Sequence, residues 1–315
     1  MLALLFPGQG SQEVGMGRDA FETSAAARAV FEEADRALGF PLSRLCFEGP
    51  EDELLRTELQ QPAILATSVA LLRALEERIP VEAVAVAGHS LGEYTALVAS
   101  GALRFEDAIR LVHARGRFMQ EAVPQGRGAM AAVLGCGPEV VERACDDARK
   151  SSGKVVAPAN FNGPGQTVIA GDVVAVELAC SRARQLGARR TLALPVSAPF
   201  HCPLMEPAAE RLGVELSRVR FADPKPPVVT NVEAAPNTDG AHARDLLSAQ
   251  VTSPVRFTEM VQPLLGMGVT QVLEIGPGRV LTGLVARIAP ELRRTTLEGA
   301  ADLGGVVAAL AGAAG

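Results

Sequence analysis

The sequence predicts an α/β fold whose core is a parallel sheet, with a smaller domain inserted into it. Short apolar runs alternate with segments of helical periodicity in the first part of the chain, which is the order that builds parallel sheets. Further along, the order changes to β-α-β-β-α-β, which is that of the ferredoxin-like unit. We therefore expect a large domain formed by residues 1–126 and 197–315 and a small domain formed by residues 127–196.

Apolar patterning predicts the elements at the start of the large domain. LALLF at residues 2–6 and AVAVA at residues 83–87 are short apolar runs followed by turn residues, as is typical of buried strands. Residues 19–38 carry apolar side chains at helical spacing and predict one helix. Pro62 predicts the start of another, because proline is favoured at the first helical position. Two more helices are predicted over residues 91–100 and 105–122.

The remaining elements follow from the same signals. In the small domain, a hairpin around NGPGQ is expected between two helices. One further strand is expected before the first helix and another after the second. The strands and helices of this domain are predicted at residues 129–135, 138–150, 172–186 and 191–196. The large domain then resumes with helices and strands predicted at residues 203–218, 228–231, 269–276 and 280–288.

The composition excludes several classes of function. The chain has 315 residues, 48% of them hydrophobic, and a net charge of −6, so it lacks the overall basic character that nucleic-acid binding needs. Its five cysteines show no spacing typical of a zinc site or a disulfide framework, which favours a reducing, cytoplasmic location. No apolar run approaches the length of a membrane span. We therefore expect no metal, no nucleic acid and no membrane among the partners.

The stretch Gly88-His89-Ser90-Leu91-Gly92 places a serine between two glycines, after an apolar strand and before a helix. This G-x-S-x-G context is typical of a nucleophile elbow, in which a sharp turn exposes the serine hydroxyl. The same turn directs a helix N-terminus and the N–H of Leu91 towards a developing oxyanion. The alternative is an ordinary tight turn with a capping serine, because the motif also arises by chance.

A serine nucleophile requires a base, and the chain has four histidines. His113 lies in the middle of a predicted helix, and His242 lies in a polar segment. At an elbow the side chain of His89 is expected to point away from the serine. His201 lies in the proline-rich segment VSAPFHCPLM at a domain junction and is the best candidate, although these residues alone leave the choice open. The neighbouring Cys202 is a rival nucleophile without an elbow, and a buried thiol is the role we expect for it.

Several segments together resemble the malonyl-CoA:acyl-carrier-protein transacylases and the related acyltransferase domains of polyketide synthases. They run in family order across nearly the whole chain: FPGQGSQ (6–12), QQPAIL (60–65), GHSLGEY (88–94), NFNGPGQTVIAG (160–171), SAPFH (197–201), AQVTSPVRF (249–257) and EIGPGRVLTGL (274–284). The resemblance implies an α/β-hydrolase-like core with a ferredoxin-like insert. It also implies malonyl-CoA and an acyl carrier protein as partners, without any cofactor.

The resemblance further implies the catalytic groups. Ser90 matches the nucleophile and His201 the base, which family members orient with a backbone carbonyl, here that of Gln250. The backbone N–H of Gln9, in the FPGQGSQ loop, matches the second donor to the oxyanion, beside that of Leu91.

Other matching positions are implied to bind the substrate. Gln61 would line the pocket, and Arg115 would hold the free carboxylate of the malonyl group, to which a planar guanidinium is suited. From its own surroundings, HARGRF, Arg115 is no different from a solvated helix charge. Phe200, before the histidine, is implied to favour malonyl over bulkier acyl groups. A groove for pantetheine and phosphates is implied at Asn160, Asn162, Arg189 and Arg190, the last two being equally consistent with exposed charges.

The resulting hypothesis is a two-step transfer of malonyl from CoA to the phosphopantetheine thiol of the carrier, through an ester on Ser90, to supply fatty acid synthesis. An alternative is a free-standing acyltransferase that loads the carriers of a polyketide synthase. Two less favoured alternatives are a serine thioesterase or hydrolase, which would have no need of Arg115, and a carrier-binding module without catalytic activity.

Overall fold

The computed structural model describes residues 1–196 and 198–312. Ser197, at which we expect the large domain to resume, and residues 313–315 of the C-terminal tail lie outside the described residues. The described part contains ten strands: Leu2–Phe6 (β1), Ala85–Gly88 (β2), Gly128–Leu134 (β3), Val156–Gly163 (β4), Gln166–Asp172 (β5), Arg190–Ala193 (β6), Val228–Val229 (β7), Pro236–Asn237 (β8), Gln271–Ile275 (β9) and Arg293–Leu297 (β10).

Fourteen α-helices are described in the same residues: Arg18–Thr23 (α1), Ala25–Leu38 (α2), Leu42–Glu48 (α3), Glu51–Leu54 (α4), Thr57–Glu76 (α5), Gly92–Ala99 (α6), Phe105–Glu121 (α7), Pro138–Ser152 (α8), Val173–Gln185 (α9), Glu206–Ser217 (α10), Gly240–Gln250 (α11), Phe257–Gly266 (α12), Val280–Ile288 (α13) and Leu303–Ala311 (α14). None of these helices has both the length and the apolar character needed to span a membrane.

The larger sheet has the strand order β10-β9-β1-β2-β7-β8, and its neighbouring strands are parallel except for β7 and β8. Strand β1 lies inside the sheet, and its side chains are buried on both faces. Leu4 and Phe6 belong to one apolar cluster, whereas Ala3 and Leu5 belong to another. Burial on both faces is typical of parallel sheets. The predicted α/β class with a parallel-sheet core is confirmed.

The smaller sheet has the strand order β4-β5-β3-β6, and all its neighbouring strands are antiparallel. Helices α8 and α9 cover one face and enclose a separate apolar cluster around Val133 and Ile169. This is the ferredoxin-like arrangement that the element order predicts. The opposite face presents Met130 and Val168 to the main apolar cluster of the molecule. The two sheets therefore share one core, and the functional site lies between them.

Several elements differ from their prediction. Residues 19–38 form two helices, because Ser24 is extended and its side chain caps α2 by accepting the N–H of Ala27. Pro62 lies inside α5 and does not begin it. An interior proline costs about 3 kcal/mol in an isolated helix, but α5 is buried on nearly every side and its packing outweighs that cost. Strand β10 has the sequence RRTTL, and its polar character at the sheet edge hid it from apolar patterning.

The turn between β2 and α6 is packed backbone against backbone. A Cβ atom at Gly88 would lie 2.0 Å from the carbonyl carbon and oxygen of Gly92, and a Cβ atom at Gly92 would lie 2.1 Å from the carbonyl oxygen of Phe6. These neighbours belong to the central sheet and the helix start, so they cannot move aside as a flexible side chain would. The two glycines therefore allow the helix to begin directly against β1.

We expect Gly92→Ala to destabilise the fold because the new methyl group overlaps the backbone of β1. The loss of unfolding free energy should exceed about 4 kcal/mol, which few single substitutions do. Denaturant unfolding measures this loss. The matched control is Gly283→Ala in α13, where an added Cβ meets nothing within 4 Å. That change should stabilise the protein by up to about 1 kcal/mol. Equal unfolding free energies for the two variants would contradict this account of the turn.

Candidate active site

Ser90 lies at the apex of the turn between β2 and α6, with a φ of 53°. Such a left-handed conformation costs a non-glycine residue about 1–2 kcal/mol, so its surroundings must hold it. The N–H of Ser90 donates to Oδ1 of Asn231 at 2.6 Å, and Nδ2 of Asn231 donates to the carbonyl of Gly88 at 2.7 Å. Asn231 thus holds both sides of the turn. Sequence reasoning missed this residue, although its place just after strand β7 was a usable signal.

His201 reaches the serine across the cleft. Its Nε2 lies 2.7 Å from Ser90 Oγ, and its Nδ1 lies 2.8 Å from the backbone carbonyl oxygen of Gln250. Because a carbonyl only accepts, Nδ1 carries the proton and Nε2 presents its lone pair to the serine hydroxyl. His201 also has a positive φ, of 58°, which the sequence did not predict. The structure brings together these three groups as the resemblance implied.

The surroundings keep His201 in its neutral form. Burial, together with the nearby charge of Arg115, lowers the pKa of His201 to about 3. A neutral imidazole can accept the proton of the serine hydroxyl, whereas a charged one cannot.

Arg115 lies on α7, with its guanidinium turned into the core and only 2% of the residue exposed. Its Nη1 donates to Gln61 Oε1 at 2.7 Å, and its Nη2 donates to Gln250 Oε1 at 2.9 Å and to Ser90 Oγ at 3.0 Å. These partners are all uncharged, and in the described part of the chain no carboxylate pairs with this guanidinium. Arg117, which looks the same in the sequence, is exposed. The distinction follows from which face of α7 each arginine occupies.

A single cavity of about 210 Å³ unites the predicted groups. It lies between the two sheets, and Ser90, His201 and Arg115 line it together. Gln9, Phe200, Asn160 and Asn162 also line it, as expected, and the rest of the wall is largely apolar, with Met119, Met130, Val168, Leu194, Val196, Leu281 and Leu284 among its members. Within the described residues, no group of three metal-binding side chains is present.

Two backbone N–H groups near the elbow lack an acceptor in the described part of the chain. The N–H groups of Leu91 and Gln9 donate to no acceptor among the described residues. Leu91 directly follows the serine at the start of α6. The loop that carries Gln9 packs against the elbow so closely that a Cβ at Gly8 would lie 2.4 Å from the carbonyl oxygen of His89. Gln9 also lines the cavity together with Ser90, so both residues lie close to the serine.

Some predicted site residues lie elsewhere. Gln61 is fully buried behind Arg115 and holds its guanidinium, rather than lining the cavity. Arg189 and Arg190 do not border the cavity of Asn160 and Asn162. They line a separate surface depression with Arg287, because β6 begins there at the exposed end of the smaller sheet. Gln166 lines both the depression and the cavity, so the two are neighbours.

The side chain of His89 bonds to the smaller sheet and not to the serine. Its ring lines the cavity, and its Nε2 lies 2.8 Å from Oδ1 of Asn162. Asn162 belongs to the hairpin of the smaller sheet, so this bond joins the elbow to the other side of the cleft. The partner could not be foreseen because it is 73 residues away in the chain.

Fold and site together are those of an acyl transferase. A family model described as "Acyl transferase domain" matches residues 3–302, and the chain belongs to that family. Malonyl CoA-acyl carrier protein transacylase of Escherichia coli (strain K12) is 48% identical over 295 residues, covering 94% of this chain and 95% of that protein. The protein of that name from Bacillus subtilis (strain 168) is 48% identical over 292 residues, covering 93% and 92% of the two chains.

Solved structures agree with this assignment. An acyl carrier protein S-malonyltransferase from Vibrio cholerae superposes with a TM-score of 0.94 at 46% identity, covering 97% of this chain and 99% of that one. A malonyl-transacylase solved in complex with its type II polyketide synthase acyl carrier protein gives a TM-score of 0.92 at 46% identity, covering 96% and 97%. These likenesses extend over both sheets and the cleft between them.

The lowered pKa of His201 predicts an unusual pH profile. A base with a pKa of about 3 stays neutral from pH 8 to pH 5, so kcat/KM for acylation of Ser90 should be constant over this range. A histidine with an ordinary pKa would lose about tenfold in rate for each pH unit below 6.5. Malonyl-pantetheine is a suitable substrate, since it lacks the phosphates of CoA. A decline centred near pH 6.5 would contradict the buried, neutral histidine.

Proposed function

We propose that the protein transfers a malonyl group from malonyl-CoA to the phosphopantetheine thiol of an acyl carrier protein, through an ester on Ser90. The observation that carries this proposal is the position of Ser90 Oγ, which lies within hydrogen-bond distance of both a neutral histidine and a buried arginine. The histidine suits any acyl group, whereas the arginine suits one that ends in an anion. The names of the relatives support the same substrates.

In the first half-reaction, Nε2 of His201 accepts the proton of Ser90 as Oγ attacks the thioester carbonyl. The N–H groups of Leu91 and Gln9 stabilise the negative charge on the carbonyl oxygen. The C–S bond then breaks, and His201 returns its proton to the departing CoA sulfur. Ser90 carries the malonyl ester, and the guanidinium of Arg115 binds its carboxylate.

In the second half-reaction, the thiol of the carrier takes the place of CoA. His201 accepts the thiol proton as sulfur attacks the ester carbonyl, and the same two N–H groups hold the oxyanion. The ester C–O bond breaks, and Ser90 recovers its proton from His201. No step requires a metal or a redox cofactor, because protons and the acyl group are all that move.

Fatty acid synthesis is the destination that we propose for the product. Loading of polyketide carriers is the second candidate. It is supported by the similarity to the malonyl-transacylase that was solved with a type II polyketide synthase carrier. Hydrolysis is less favoured, because a buried arginine beside the serine has no role with water as acceptor. A module without catalytic activity is also disfavoured, since Ser90 and His201 lie within hydrogen-bond distance of each other. We further propose a cytoplasmic location, in keeping with the five free cysteines.

We retain the division into domains as a proposal, with residues 1–126 and 197–315 forming the large domain and residues 127–196 the small one. The cleft between them is then the path of the pantetheine arm, along Asn160 and Asn162. The depression of Arg189, Arg190 and Arg287 would bind the phosphates at the far end of that arm, because three guanidinium groups there face no opposing carboxylate among its lining residues.

Arg115→Ala should separate transfer of malonyl from that of acetyl. We expect the rate of Ser90 acylation by malonyl-CoA to fall by at least about 100-fold, equivalent to the loss of a charge-assisted contact of about 3 kcal/mol, while acylation by acetyl-CoA changes little. Intact-protein mass spectrometry follows both adducts. The control is Arg117→Ala, which removes an exposed arginine from the same helix and should leave both rates unchanged. Equal loss for the two acyl groups would argue against a malonyl-binding Arg115.

Arg190→Ala tests the proposed phosphate depression. The variant should raise KM for malonyl-CoA by about tenfold, as expected for one charge-assisted hydrogen bond, and leave KM for malonyl-pantetheine unchanged. The second substrate lacks the phosphates and serves as the internal control. A rise in KM for both substrates, or for neither, would remove this depression from the binding site.

A further inference from the structure

One buried carboxylate beside the site has no part in the reaction described above. Glu93 lies in the first turn of α6, three residues after Ser90, with only 2% of the residue exposed. Its Oε2 accepts the Nε2–H of Gln250 at 2.8 Å and the backbone N–H of Asn231 at 3.1 Å. A buried acid is costly unless it is hydrogen-bonded, and both of the groups that donate to Glu93 belong to residues that contact the active site.

Gln250 connects Glu93 to the base and to the arginine. Its backbone carbonyl oxygen accepts Nδ1–H of His201 at 2.8 Å, and its side-chain Oε1 accepts Nη2–H of Arg115 at 2.9 Å. A glutamine amide can turn over and exchange its donor and acceptor ends. The Glu93 oxygen accepts here, so the NH₂ group of Gln250 must face it, and the amide oxygen must then face Arg115. Glu93 thereby favours the same amide orientation that Arg115 and the carbonyl of Ser90 require.

Asn231 connects Glu93 to the nucleophile. Its backbone N–H donates to Glu93, while its side chain accepts the N–H of Ser90 and donates to the carbonyl of Gly88. The amide of Gln250 also donates to the carbonyl of Ser90, at 3.0 Å. The backbone of the strained serine is therefore held by the side-chain amides of two residues, and Glu93 accepts the amide N–H of Gln250 and the backbone N–H of Asn231.

We propose that Glu93 is a positioning residue for acyl transfer, which fixes Gln250 and Asn231 and through them aligns Ser90, His201 and Arg115. This inference rests on the roles proposed above for those three groups. Glu93 itself touches neither the acyl group nor the reacting atoms. Its contribution is the placement of the groups that do, and a displacement of about 1 Å at such a site can cost about 100-fold in rate.

The position of the Glu93 acceptor, and not its charge, is what the geometry requires. Both hydrogen bonds end on the same oxygen, Oε2, so a proton on the other oxygen leaves them intact. Burial raises the pKa of Glu93 to about 7, against the opposing effect of its hydrogen bonds and of Arg115, so the neutral form is accessible. A glutamine of the same length can offer one oxygen to both donors. An aspartate keeps the charge but is one methylene too short to reach them.

The test compares Glu93→Gln with Glu93→Asp in single-turnover acylation of Ser90 by saturating malonyl-CoA and acetyl-CoA. We expect Glu93→Gln to remain within about fivefold of the parent rate, and Glu93→Asp to be at least about tenfold slower than Glu93→Gln, since even part of a 1 Å displacement is costly. The loss in Glu93→Asp should affect both acyl groups, because Ser90 and His201 serve both. An Asp variant as fast as the Gln variant would overturn the proposal, and an Asp variant faster than the Gln variant would assign the role to charge.

Acylation rates equal to that of the parent protein in both Glu93 variants would also overturn the proposal that Glu93 is a positioning residue. Asp35→Ala is the control for general destabilisation, since Asp35 is partly buried and accepts the N–H and the hydroxyl of Ser43, and neither residue lines the cavity. We expect it to lower the unfolding free energy while its acylation rate, per folded molecule, stays within about threefold of the parent, as for a site with no shared partners. A loss as large as that of Glu93→Asp would reduce the Glu93 effect to general destabilisation. Absence of any acyl adduct on the parent protein would instead be a failure of the proposed function.

Discussion

The site depends on a buried guanidinium that lacks a carboxylate partner among the described residues. Arg115 is almost fully removed from water, and the groups that its nitrogens contact are the oxygens of Gln61, Gln250 and Ser90. Taking a cation out of water is costly, and uncharged acceptors compensate that cost only in part. An anion that enters the cavity therefore gains a strong partner. The same nitrogen that contacts Ser90 Oγ is placed to contact what the serine carries.

The fold supports this arrangement by making the surrounding backbone stiff. Ser90 and His201 both adopt left-handed conformations, and neither is a glycine. Strain of this kind persists only where packing and hydrogen bonds over-determine the local structure. Gly88 and Gly92 flank the elbow, and because they have no Cβ atom, α6 can start directly against the sheet. The side-chain amides of Gln250 and Asn231 hold the elbow by hydrogen bonds to the backbone of Ser90. The reacting atoms are thus aligned before substrate arrives.

The sequence predicted most of the fold, because its strands are continuous apolar runs and its helices carry clear periodicity. The misplaced start at Pro62 and the unpredicted strand β10 share one physical cause, since tertiary packing decided both against the local signal. The site was predicted unevenly. Ser90 was visible from its own neighbours, whereas Arg115 was recognised only through the family resemblance. Asn231, at the end of a predicted strand, left a usable signal, but its contact with Glu93 could not be predicted, because the sheet topology joins residues 138 positions apart in the chain.

The most direct test of the central claim is a crystal structure of the protein soaked with malonyl-CoA. We expect the ester on Ser90 to lie in the cavity with both oxygens of its free carboxylate bonded to the guanidinium of Arg115, at about 2.7–2.9 Å. In that structure the guanidinium should still be held by Gln61 and Gln250. A malonyl ester whose carboxylate points to solvent, while Arg115 keeps its present contacts, would contradict the claim.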